Sequence, residues 1–204
     1  LGSPILTYLT AAGIGTIRFV DNGEVELSNL NRQVLHFTED VGRKKVNSAK
    51  LKLRLLNPEV ALEPVHETIS DLNVAELVSG CDLIVDAMDN LQARYLLNRA
   101  AIEAKIPFFH GAVSGFEGRA LTVVPGESAC LQCVSRGAVT PGGKFPVIGT
   151  APAIIASIQS TEVIKYITGI GDLLLNRLLM YDGLTSSFNE FSVNRDPDCE
   201  HCGQ

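Results

Sequence analysis

The sequence predicts an α/β chain built on a doubly wound mixed sheet, mostly parallel in its first half and antiparallel in its second. Three observations carry this expectation. Strand-like and helix-like segments alternate from residue 16 to residue 113, the rhythm of a parallel sheet with covering helices. Residues 82–87 (Asp-Leu-Ile-Val-Asp-Ala) form a largely apolar run, as expected of a strand covered on both faces. Late in the chain, two strand-like segments flank an Asp182-Gly183 turn signal, which favours antiparallel pairing.

Taken in order, residues 4–12 read as a helix, with Pro4 in the first turn and Gly13 as a stop. Residues 16–20 are a β-rich run ending at Asp21. The polar stretch 22–40 is longer than a connector needs, which hints at function. Residues 44–56 return to helix, with Val46, Ala49, Leu53 and Leu56 on one face, and Asn57-Pro58 ends it. Residues 61–69 alternate like a strand, 74–78 form a short helix, and 91–104 form a longer one. Strands follow at 107–113 and 119–124. Residues 136–149, rich in Gly and Pro, read as a loop before a long apolar-faced helix at 151–167. Segments 178–181 and 188–193 make a loose hairpin.

The 204 residues suit one domain, 1–204, with halves at 1–125 and 126–204. With 46% hydrophobic and 20% charged residues, a large core is expected and disorder is excluded. A net charge of −6 disfavours a nucleic-acid partner. No apolar run approaches the ~18 residues of a membrane span, and no signal peptide opens the chain. Residue 1 is Leu rather than Met, so residues upstream are expected.

Five cysteines, an odd number without a secretion signal, argue against a disulfide framework and for a reducing, cytoplasmic setting. Four of them form two Cys-x-x-Cys pairs, Cys130/Cys133 and Cys199/Cys202, 66 positions apart. Two such pairs complete a closed tetrahedral thiolate shell, the arrangement of structural zinc. The metal would then fasten the C-terminal region onto the rest of the chain. The alternatives are two unrelated thiol loops, or a redox role for one pair; the latter is disfavoured because neither pair reads as opening a helix after a strand. Cys81, before an apolar strand, reads as an inert buried thiol.

Gly2 precedes the first helix and Asp21 ends the following strand. In a Rossmann-like fold these positions suit a phosphate at the helix N-terminus and a ribose. Asn29, Arg32 and Gln33 lie in the polar stretch, and Lys44 and Lys45 open the next helix. Asp89 and Asn90 follow the apolar strand, with Arg94 a turn further. Ligands of open α/β sheets bind outside the carboxyl ends of the strands, where these residues would gather. Arg and Lys suit phosphates, and a carboxylate beside them suits Mg²⁺ bridging to phosphate oxygens.

These segments resemble the ThiF/MoeB/HesA family of adenylating enzymes, relatives of the ubiquitin-activating E1 enzymes. The matching runs are Leu1-Gly2-Ser3, Val20-Asp21, Glu26-Leu27-Ser28-Asn29-Leu30-Asn31-Arg32-Gln33, residues 40–45, Asp86-Ala87-Met88-Asp89-Asn90 with Arg94, residues 158–162, and both Cys pairs. The resemblance spans nearly the whole chain. It implies binding of Mg·ATP and adenylation of the C-terminal Gly-Gly carboxylate of a small ubiquitin-like sulfur carrier, of the molybdopterin or thiamine type. It implies Gly2 in the phosphate loop and Asp21 on the ribose. Asn29, Arg32 and Lys45 would face the phosphates, Asp89 would hold Mg²⁺, and Gln33, Asn90 and Arg94 would play supporting roles. Residues 1–125 would form the nucleotide-binding half and 126–204 the zinc-clasped, carrier-binding half. A homodimer is also expected on this ground. Because a carboxylate nucleophile is already ionised at neutral pH, no general base is needed, and His36, His66 and His110 are read as structural.

Three departures from the family pattern stand out. Its first strand and most of its Gly-x-Gly-Gly-x-Gly loop would precede Leu1. No counterpart can be named for the arginine that many relatives insert into a partner subunit's site. The loop 136–149 holds no cysteine, so sulfur is expected from another protein, such as a sulfurtransferase. Competing readings are a nicotinamide-dependent oxidoreductase, which would not need Arg32, Lys45 and Asp89, and a non-catalytic scaffold that only binds the carrier.

Overall fold

The structure, a computed structural model, describes residues 1–135 and 146–203. Helix α1 (Gly2–Ala11) leads into strand β1 (Thr16–Val20), and two short 3₁₀ turns, Leu27–Asn29 and Thr38–Asp40, shape the polar stretch that follows. Then come α2 (Lys45–Leu56), β2 (Ala61–Val65), α3 (Val74–Val78), β3 (Ile84–Val85) and α4 (Leu91–Ala104). Strands β4 (Phe108–Ser114) and β5 (Glu117–Val123) precede α5 (Leu131–Ser135) and α6 (Thr150–Thr168), and a hairpin of β6 (Arg177–Asp182) and β7 (Ser187–Ser192) follows.

The pairing is parallel in the first half and antiparallel in the second. β1 and β2 pair in parallel, with Thr16 opposite Ala61, and β3 pairs in parallel with β4. β4, β5, β6 and β7 then run antiparallel in sequence order. The order β3-β4-β5-β6-β7 makes one sheet and β1-β2 another. One continuous sheet was the expectation. Among the described residues, no strand pairs with both β1 and β3.

The two faces are covered by different helices. Consecutive residues of a strand point to opposite faces, and β4 shows this directly. Phe108 packs with Leu96, Leu97, Ala100 and Ala101 of α4, whereas Phe109 packs with Ile5 and Leu9 of α1 and with Ala156 and Val163 of α6. Leu53 of α2, fully buried, packs with Leu35 and Ala49 and against Phe19 and Leu62, closing the outer edge over β1 and β2.

Several elements differ from the sequence reading at their ends. The strand expected at 82–87 is shortened to Ile84–Val85: the Asp86 amide still bonds the Phe109 carbonyl, and the Asp86 side chain then captures the Met88 amide and turns the chain. The strand expected at 61–69 stops at Val65. Helix α5 begins directly after Cys130, where no helix was expected. The first Cys pair does therefore open a helix, contrary to the reading used against a redox role; its short length and lack of repeat hid it. Helix α6 ends at Gly169, whose φ of 66° supplies the left-handed cap that a side chain would resist. Most of the loop expected at 136–149 lies outside the described residues. Among the described residues, no helix is long and apolar enough to cross a membrane.

Candidate active site

Gly2, Asp21, Asn29, Arg32, Gln33, Lys45, Asp89 and Asn90 all line one cleft. The topology explains why. Asp21 and Asp89 follow the carboxyl ends of β1 and β3, and α1 starts between them, so the crevice lies where the strand order diverges. At Gly2 a side-chain carbon would sit 3.6 Å from Ala87, which places the start of α1 against the turn that carries Asp89.

On the β1 side, Asp21 Oδ1 accepts a hydrogen bond from the Gly23 amide at 2.7 Å. Lys45 Nζ lies 3.9 Å from Asp21 Oδ2, and the Lys45 amide donates to the Gly23 carbonyl at 3.0 Å. The turn thus sets one carboxylate and one ammonium side by side at the mouth of α2. Both side chains are only partly buried, so each retains room for a ligand.

The polar stretch presents Arg32 on a compact turn. Asn29, buried, accepts from the Glu26 amide through Oδ1 at 3.2 Å, and its carbonyl accepts from the Gln33 and Arg32 amides. Arg32 Nη1 donates to the Ser28 carbonyl at 3.1 Å and to Asn31 Oδ1 at 2.9 Å. With no carboxylate partner among these bonds, the guanidinium keeps its charge for the cleft. Gly149, ahead of α6, approaches the Asn31 carbonyl so closely that no side chain fits there. Asn29 Oδ1 and its carbonyl therefore shape this turn, while the residue also lines the cleft.

On the β3 side, Asp89 and Asn90 are exposed. Asn90 caps α4, accepting from the Ala93 amide at 2.8 Å, and its Nδ2 donates to Asp89 Oδ1 at 3.3 Å. Arg94 turns inward instead: Nη2 donates to the Met88 carbonyl at 2.5 Å, and Nε lies 3.5 Å from Asp86 Oδ2. Its guanidinium braces the loop while also lining the cleft.

The sequence reading missed the buried polar cluster behind this loop. Asp86, His110 and Gln159 are all at most 1% exposed. His110 Nδ1 and Asp86 Oδ2 lie 2.7 Å apart, and Gln159 Nε2 donates to the carbonyls of Asp86 and Phe109. Burial holds the His110 imidazole below its ordinary pKa, against the opposing pull of Asp86. The ring is thus neutral at neutral pH, with Nδ1–H donating to the carboxylate. A carboxylate inside an apolar run was the available signal, since such groups are almost never buried unless paired.

The second candidate site lies against α4. The sulfurs of Cys130, Cys133, Cys199 and Cys202 lie within 4.8 Å of one another, and this group can hold a metal ion. Cys130 Sγ is 3.9 Å from Cys133 and 3.7 Å from Cys199, and Cys133 is 3.4 Å from Cys202. Four sulfurs at the usual zinc–thiolate distance of ~2.3 Å would be ~3.8 Å apart on a tetrahedron's edges. The observed separations fit that shell and are too long for disulfides. Asn98 of α4 ties both knuckles together, accepting from the Leu131 amide at 2.9 Å and lying 2.8 Å from His201 Nδ1. Cys81, by contrast, is only half-buried and lies 3.7 Å from Arg18 Nη1.

Comparison with known proteins places this architecture. The chain is 42% identical over 209 residues to the SAMP-activating enzyme E1 of Haloferax volcanii, covering all of this chain and 77% of that protein. It is 39% identical to the sulfur carrier protein adenylyltransferase of Thermus thermophilus and 38% identical to the molybdopterin-synthase adenylyltransferase of Escherichia coli. These matches cover the whole chain and 79% and 84% of those proteins. The crystal structure of E. coli MccB with ATP superposes with a TM-score of 0.83 at 23% identity, covering 99% of this chain and 63% of that one; this likeness shows the fold. The ThiF family pattern matches residues 1–201, and the chain belongs to the ThiF family.

Proposed function

We propose that the chain is an ATP-dependent adenylyltransferase that activates the C-terminal Gly-Gly carboxylate of a small ubiquitin-like sulfur carrier. The observation that carries this reading is the single cleft shared by Arg32, Lys45, Asp21 and Asp89 at the carboxyl ends of β1 and β3. Relatives named as adenylyltransferases of sulfur carriers, matched over the full chain, point the same way.

The chemistry requires charge placement rather than acid–base work. An ionised carboxylate oxygen of the carrier forms a bond to the α-phosphorus of ATP, the bond to the bridging oxygen breaks, and pyrophosphate leaves with that electron pair. Negative charge shifts toward the leaving group, so fixed cations lower the barrier. Lys45 and Arg32 supply them. Asp21 would accept the ribose hydroxyls, and Gly2 would leave the first amides of α1 open to phosphate. Asp89, an exposed hard-oxygen donor beside Asn90, fits Mg²⁺, which typically takes one or two carboxylates and completes its shell with phosphate and water. Bound there, Mg²⁺ would neutralise phosphate charge. The four-cysteine cluster fits structural zinc, a closed shell with no position for substrate.

The carrier would dock on the half spanning 126–204 and its neighbouring turn, where Phe116, Leu184, Phe188 and Phe191 are exposed. Exposed Leu51, Leu55 and Leu56 on α2 offer an apolar face for a second copy of the chain. With no cysteine in residues 136–149, sulfur would come from a separate donor protein.

The test is isotope exchange between ATP and pyrophosphate. Exchange is expected only when a carrier ending in Gly-Gly is present. Asp89→Ala should abolish it while leaving circular dichroism unchanged. Exchange without any carrier, or full exchange in the variant, would overturn the assignment.

A further inference from the structure

Asp86 is anchored at every polar atom. Its amide donates to the Phe109 carbonyl at 2.9 Å and its carbonyl accepts from Gln159 Nε2 at 2.8 Å. Oδ1 accepts from the Met88 amide at 2.8 Å, closing a tight turn over residues 86–88, and Oδ2 accepts from His110 at 2.7 Å. The exposed Asp89 follows at once, and Asn90 is pinned as the cap of α4. The loop is therefore held on both sides of Asp89.

We propose that His110 and Asp86 form a positioning pair that fixes the turn at Met88 and so aims Asp89 into the cleft. The inference rests on the proposed role of Asp89 in Mg·ATP binding. His110 sits on β4, opposite Leu121 of β5, so its ring is carried by a strand paired on both sides. Its Nδ1–H is the hydrogen bond that orients Oδ2. Without it, Arg94 Nε, 3.5 Å from Oδ2 and making no hydrogen bond in the present arrangement, becomes a competing donor. The carboxylate would then swing toward Arg94 and release the Met88 amide. His110 Nε2 is buried without a hydrogen-bond partner, so Asp86 is the one polar contact orienting the ring among the described residues.

The experiment compares His110→Phe, which keeps a ring but loses the donor, with His110→Asn, which restores an N–H near the position of Nδ1. Val60→Ala, a buried change outside the cluster, serves as a stability control. Two quantities are read: amide hydrogen exchange across residues 86–90, and the Mg²⁺ concentration giving half-maximal ATP–pyrophosphate exchange with carrier present. In His110→Phe, amide exchange should accelerate at Met88 and Asp89, and the Mg²⁺ midpoint should rise about tenfold, the scale of losing a residue that orients a metal ligand. His110→Asn should recover most of both shifts, and Val60→Ala should lower the melting temperature while moving neither. The inference is overturned if His110→Phe moves neither quantity, or if Val60→Ala moves both equally. A wild-type protein inert toward every Gly-Gly carrier would sink the proposed activity instead, and amide exchange would still decide the bracing.

Discussion

Asp40 shows how one residue organises the polar stretch. It is 1% exposed and pairs with Lys52 and, at 3.5 Å, with Arg43, while accepting from the Phe37 amide at 2.7 Å. Burial alone would raise its carboxyl, but the hydrogen bonds from Lys52 and Phe37 and the Lys52 charge bring it below its ordinary value of 3.8. Such a group adds stability above that value and loses it as the pH falls through the lower, folded-state pKa. Asp40→Asn should therefore cost about 3 kcal/mol at pH 7, the scale of breaking a buried pair. In urea melts, that gap should narrow below about pH 4. His36 and His110 act in the same direction by a different route. Burial lowers both pKa values below 6.5. Above 6.5 neither folded nor unfolded ring is charged; below it the unfolded ring takes a proton that the folded one resists, so stability falls as pH falls. On the proposed function, charge in the cleft serves catalysis rather than stability. Lys45→Ala and Arg32→Ala should each cut ATP–pyrophosphate exchange by about a hundredfold or more, as for loss of a charge-stabilising group. The melting temperature should barely move, because Lys45 and Asp21 form only a partly exposed pair.

At the level of elements, the contact of α6 with the β4–β5 hairpin sets the tolerance of the core. A methyl group at Gly111 would overlap the amide of Gln159, and one at Gly118 would overlap Ile155. Both neighbours are buried on α6, so neither can swing out. Gly118→Ala should cost about 1–3 kcal/mol, the usual range for overpacking a filled core. Gly111→Ala should cost a similar amount and also loosen the hydrogen bonds from Gln159 to Asp86 and Phe109. Guanidinium melts of both variants, with amide exchange at Asp86, check the difference between them. Element identity was largely legible in the sequence because long periodic segments declare themselves; Lys45–Leu56 falls where its apolar spacing places it, and Leu91–Ala104 matches the helix expected there. The end of β3 was not legible, because an Asp inside an apolar run gives no sign that its side chain will capture the Met88 amide and turn the chain.

For the whole molecule, the cysteine cluster joins α5 to the C-terminal segment against α4. Cys199→Ser should release bound zinc, read by elemental analysis of the purified protein. It should also lower the melting temperature by more than about 5 °C, since roughly 2–4 °C is lost per kcal/mol in a chain of this size. Unchanged melting would mean that packing alone holds the segment.

The order of residues was enough to establish the alternation of elements, the switch from parallel to antiparallel pairing, the two cysteine pairs and the family, because each is written in local spacing or in runs of particular residues. Packing in three dimensions settled the rest: Arg94 braces the loop that carries Asp89, and Asp86, His110 and Gln159 share one buried cluster. These features depend on which distant residues meet when the sheet closes, and a buried hydrogen bond between positions 24 apart has no signature in the order of residues along the chain.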